Sequence, residues 1–158
     1  MNHFVKIITI SSVLVATACS STGDSQEVPV VDVANETAVA AASVSDEMQL
    51  ALATTVFYFG FDSSELSAQD RATLVYHANN LKENTTSTIR LEGHASEEGT
   101  REYNLALGER RAQTVANFLV VNGVAASQIE TVSYGEEQPA VNGSTETDHA
   151  KNRRVEIK

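Results

Sequence analysis

The sequence predicts an α+β fold in the order βαβαβ, then a loop and a last strand, with the helices packed on one face of a mixed β-sheet. Three observations carry this expectation. Segments 54–62, 87–95, 129–134 and 154–158 are rich in β-branched and aromatic residues or alternate apolar with polar. Segments 67–83 and 100–122 instead carry apolar residues at helical spacing, and Gly, Asn and Pro punctuate the connections. At 158 residues the chain has room for one domain of ordinary size plus extensions, and its apolar content suits a folded core.

The domain is expected to begin near Thr54, where TTVFYFGFD reads as strand one and ends in a Gly, Phe, Asp turn. Ser67 and Asp70 then form a capping-box-like pair opening helix one, which runs to about Glu83 with Leu74, Val75, Ala78 and Leu81 as its stripe. Asn84 and the Thr and Ser residues after it turn the chain into STIRLEGHA. There Ile89, Leu91 and Gly93 alternate with Arg90, Glu92 and His94, so strand two has one polar face. Thr100 caps helix two, which turns Tyr103, Leu107, Val115, Phe118 and Leu119 inward and stops at Asn122 and Gly123. Strand three covers Ile129 to Tyr134. Pro139, Asn142 and Gly143 mark a loop, followed by a short helical turn around His149 and Lys151. In the final strand Val155 and Ile157 alternate against Arg154, Glu156 and Lys158.

Residues 1–18 read as a secretory leader. Lys6 is their one charged side chain, residues 7–15 are mostly apolar, and Ala16, Thr17 and Ala18 lead to Cys19. The stretch is too short for a membrane span. A cysteine directly after a small-residue patch resembles the bacterial lipoprotein box, which makes Cys19 the expected lipidation site. Several acyl chains, at about 0.8 kcal/mol per buried CH2, anchor a protein stably. Ser20 stands where Asp commonly signals retention in the inner membrane, so this resemblance implies an anchor in the inner leaflet of the outer membrane, facing the periplasm. Cys19 is the chain's one cysteine, which excludes an intramolecular disulfide.

Residues 19–53 are expected to be a flexible acidic linker, with a short helix between Thr37 and Ala53. Asp24, Glu27, Asp32, Glu36, Asp46 and Glu47 fall here without a Lys or Arg, in a chain of net charge −10. Such a segment is repelled by nucleic acid and by anionic lipid, so nucleic acid is not an expected partner. Fully extended, it reaches about 110 Å. That would carry a domain at 54–158 to a nearby layer.

The loop from His94 to Gly99 brings its side chains and the first amides of helix two to one end of the sheet, an arrangement that favours anions. Arg111 falls near the face of Tyr103 and Leu107, where a guanidinium is costly unless a carboxylate, a loop carbonyl or a ligand partners it. No GxSxG, SxxK or HExxH occurs, and the adjacency of His94, Ser96 and Glu97 does not make a triad. No enzyme activity, cofactor or metal is therefore expected.

GHASEEGTREYNLALGERRAQTVANFLVVNGV, with SYGEEQPAV and the terminal NRRVEIK, resembles the OmpA-like peptidoglycan-binding domain over nearly all of 54–158. The resemblance implies that an Asp in the loop after strand two and an Arg in helix two grip diaminopimelate of the peptidoglycan stem peptide. The Arg fork takes the carboxylate and the Asp takes the ammonium. Here the Arg is Arg111, while the Asp position holds Ser96, whose hydroxyl brings no charge. Glu97, next in the chain, is the expected compensating acid. Phe61 and Asp62 are implied to line the groove, with Asn104, Asn152 and Arg154 as further contacts; Tyr103, Arg110 and Arg153 read as structural. The implied function is a noncovalent tether between outer membrane and peptidoglycan with Tol-system partners, TolB above all, serving envelope integrity and constriction at cell division. Ser96 leaves open an OmpA-like lipoprotein outside the Tol system with weakened wall binding.

Overall fold

The computed structural model describes residues 45–158. The expected leader, Cys19 and most of the linker lie outside them. Residues 45–53 form helix α1, within the segment 37–53 where a short helix is expected. Strands β1 (Val56–Tyr58), β2 (Ile89–His94), β3 (Ile129–Gly135) and β4 (Arg154–Ile157) form one sheet in the order β1-β4-β2-β3. β4 pairs antiparallel with both β1 and β2, while β2 and β3 are parallel, so the sheet is mixed as expected. Helices α2 (Ala68–Glu83) and α3 (Arg101–Val121) are the two crossovers, and α4 (Glu146–Asn152) precedes the last strand. No helix among the described residues is long and apolar enough to cross a membrane.

The helix ends follow their local chemistry. Ser67 and Asp70 form the full capping box of α2, and Thr145 with Asp148 repeats it on α4. Thr100 caps α3 by accepting from the Tyr103 amide, and α3 closes at Asn122 before Gly123. The core is Phe57, Leu74, Leu81, Leu91, Val115 and Leu119 with Val155 and Ile157 of β4, between the helices and one sheet face.

Three expectations are corrected. Tyr103 does not point inward: it is 42% exposed, because its ring lines an open cleft and its hydroxyl reaches Asp62 in the loop after β1. Val75 lies at the margin of the α2 stripe and is also exposed. Strand one stops at Tyr58, and Asp62 sits beyond it at a left-handed φ of 50°.

The sheet face turned away from α2 and α3 carries alternating charge. Arg90 bonds Glu130, and Glu156 pairs with Arg154 at 2.6 Å and with Lys158 at 2.5 Å. His94 lies on this face, buried and stacked on Tyr134 at 5.5 Å.

Candidate functional site

α3 passes over β2 where Gly108 meets Gly93, and Arg111 follows one turn later, beside the end of β2. There its guanidinium gathers three carbonyls. Nε donates to Ser63 at 2.8 Å, one terminal nitrogen to His94 at 2.9 Å and the other to Gly60 at 3.1 Å. The Phe59 ring lies beneath it at 5.4 Å. Arg111 is fully buried, and loss of hydration together with the nearby Arg153 charge pushes its pKa down to about 10. It therefore keeps its charge at neutral pH. A guanidinium has five N–H groups, so three carbonyls leave two uncommitted.

Arg111 closes one wall of a cleft of about 260 Å³. The β1–α2 loop supplies Phe61 and Asp62, the β2–α3 loop Ser96, Glu98 and Gly99, α3 Tyr103, Asn104 and Leu107, and the chain just before β4 Arg153. Phe61 is 64% exposed at the rim. The Tyr103 hydroxyl donates to Asp62, which holds the phenol above its ordinary pKa because ionisation would break that bond beside a carboxylate. Asn104, buried, donates to Glu136. Facing the cleft are two guanidiniums and two carboxylates, a composition suited to a zwitterion more than to a plain anion.

The cleft thus assembles Arg111, Phe61, Asp62, Ser96 and Asn104. Glu97 is not among its lining residues and lies instead with Oε1 3.4 Å from His149 Nε2. Asn152 turns its amide to the loop at 140–141, accepting from the Ala140 and Val141 amides and donating to the Val141 carbonyl. Arg154 bonds Glu156 and the Gln138 carbonyl, away from the cleft lining.

Two charged lining residues, Glu98 and Arg153, were not anticipated. Arg153 is buried, donates to the Phe59 carbonyl and to Glu146, and its Nη1 has no hydrogen-bond partner among the described residues. Its signal was legible: counting by two from Val155 and Ile157 places Arg153 on the helix side of the sheet and Arg154 on the other. Glu98 sits in an irregular loop, where no period predicts direction.

Ser96 Oγ donates to the Glu98 carboxylate at 3.2 Å, not to a histidine. Burial and the Arg154 charge push the His94 pKa down to about 4, and its ring stacks on Tyr134. Glu98, Glu146 and His149 bring three potential metal ligands within 4.8 Å, yet Arg153 already contacts Glu146 at 2.6 Å as the local cation.

The sequence pattern of the OmpA family matches residues 58–153, the span that contains the whole cleft. The chain belongs to the OmpA family. A peptidoglycan-associated lipoprotein of Pseudomonas aeruginosa is 51% identical over 116 residues, covering 73% of this chain and 68% of the relative. One from Haemophilus influenzae is 38% identical across 98% of this chain and 97% of its own length. The crystal structure of the peptidoglycan-associated lipoprotein from Burkholderia pseudomallei superposes with a TM-score of 0.67 at 42% identity, covering 68% of this chain and 91% of that one.

Proposed function

We propose that this chain is a lipoprotein of the outer membrane that holds that membrane to peptidoglycan without a covalent link, as the peptidoglycan-associated component of the Tol-Pal system. One observation carries the binding half of this reading: Arg111 is a buried charge fixed by three carbonyls, with no carboxylate bonded to it among the described residues and two N–H groups left for a ligand. A guanidinium fork so held is preorganised for a planar carboxylate, such as that of the diaminopimelate centre in the stem peptide. The relatives' names, peptidoglycan-associated lipoprotein, support peptidoglycan as the polymer bound and a lipid anchor, for which Cys19 is the candidate. Many copies on one membrane face a polymeric wall, so a modest single-site affinity suffices.

A binding module and a hydrolase separate in one experiment. Incubated with purified sacculi, the protein should co-sediment and release no soluble muropeptides. Arg111→Lys keeps a charge but loses the fork, and should co-sediment about tenfold less. Equal retention would remove Arg111 from the site. Crosslinking to TolB in cells tests the Tol assignment, and palmitate labelling lost in Cys19→Ser tests the anchor. The second reading, an OmpA-like lipoprotein outside the Tol system with weakened wall binding, is favoured by Ser96 at the position of the family acid; wall retention without TolB crosslinking would select it.

A further inference from the structure

Resting on the wall-binding reading above, we propose that Glu98 is the acid that recognises the ammonium of the stem peptide's diamino acid, in place of a carboxylate at position 96. Glu98 is the β2–α3 loop's acidic residue in the cleft lining, while Glu97 is absent from that lining and 64% exposed in its side chain. Ser96 is 5% exposed, and its hydroxyl points its proton to Glu98 Oε2. The serine thus positions the acid two residues later.

Glu98 is held on one side. Oε2 receives Ser96 Oγ, lies 3.0 Å from His149 Nδ1 and 3.8 Å from Arg153 Nη1. Oε1 makes none of these contacts. With Oε2 anchored from the loop, α4 and the β4 approach, the carboxylate keeps its place while Oε1 is left for a cationic donor. Across the cleft, Arg111 presents its two uncommitted N–H groups. An ammonium and a carboxylate on one carbon then meet opposite charges from opposite walls. Arg153, whose Nη1 lacks a hydrogen-bond partner among the described residues, offsets part of the negative charge of Glu98 and Glu146 when no ligand is bound.

The ammonium is the readout. Sacculi are prepared untreated or with their free diaminopimelate amines N-acetylated, and binding of the full chain is measured by co-sedimentation. The native protein should bind acetylated sacculi about tenfold less tightly, the value of one charge-assisted hydrogen bond. Glu98→Gln should bind untreated sacculi about tenfold less tightly and show no further loss on acetylated ones. Glu97→Gln, which removes the same charge one residue away, should keep the native discrimination. If Glu98→Gln retains the full acetylation penalty while the native protein binds untreated sacculi, Glu98 does not read the ammonium and the wall-binding reading stands. If the native protein fails to bind untreated sacculi, the wall-binding reading itself falls, and this inference with it.

Discussion

Gly93 and Gly108 touch backbone to backbone where α3 crosses β2: a Cβ built on Gly93 would lie 2.0 Å from the Gly108 carbonyl oxygen. A Cβ on Gly108 would meet Ser133 Oγ at 2.4 Å and the Gly93 carbonyl oxygen at 2.9 Å. This contact sets the height of α3 above the sheet, and so the distance from Arg111 to the His94 carbonyl. Gly93→Ala should cost at least about 1–3 kcal/mol by overpacking. Gly108→Ala should cost less, because Ser133 can rotate and Ala favours the helix by about 1 kcal/mol. Urea unfolding of the two variants gives the order; a Gly93→Ala as stable as the native protein would mean that the helix can lift freely.

Gln128 closes the opposite end of the domain. Its side-chain nitrogen reaches the carbonyls of Leu81, Asn84 and Ser87 at 2.9–3.1 Å, tying the end of α2 and the following loop to the turn before β3. Gln128→Leu leaves these carbonyls without that donor and should lower stability by about 1–3 kcal/mol. Thermal melting would show it, and an unchanged midpoint would mean that water replaces the amide at no cost.

His94 makes stability depend on pH. It is buried, and loss of hydration together with the Arg154 charge lowers its pKa from 6.5 to about 4. Between those values the unfolded chain takes up a proton that the folded protein refuses. Its contribution is therefore intact above about pH 6.5 and is lost as the pH falls toward 4, by up to about 3 kcal/mol. His94→Phe keeps a ring against Tyr134 and should flatten the stability profile between pH 6.5 and 4. The same slope in both proteins would assign it to other groups.

Phe61 separates stability from binding. Exposed at the cleft rim, it can become Ala with a stability change within about 0.5 kcal/mol. Retention on sacculi should nevertheless fall severalfold. Unchanged retention would take Phe61 out of the binding surface.

Where residues obey a period, the sequence foretold them. Alternation in β2 and β4, the Ser67–Asp70 and Thr100 caps, and the stop at Gly123 are local rules, and the structure follows them. Arg111 was legible as a charge on an apolar face, since only a partner or a ligand makes that tolerable. Other features depend on tertiary contact. Tyr103 continues the stripe of Leu107 and Arg111 but faces the cleft and bonds Asp62, and the helical period knows nothing of where the core gives way to an open cleft. Glu97 and Glu98 are chemically identical neighbours in a loop that both reach His149, and only packing against Ser96 and Arg153 tells them apart.

The arginines that line the cleft also determine how the domain would bear load. Tension between an anchor upstream of residue 45 and a wall ligand in the cleft enters at the start of β1, where Thr54 is fastened to His77 Nε2 at 2.9 Å. It runs along a three-residue edge strand and leaves through residues 59–63. Arg153 binds the Phe59 carbonyl in that exit segment, and Arg111 binds those of Gly60 and Ser63. The two guanidiniums therefore rivet the short stretch of backbone on which the pull would converge, so that under the proposed function force would be borne by side chains that also line the cleft.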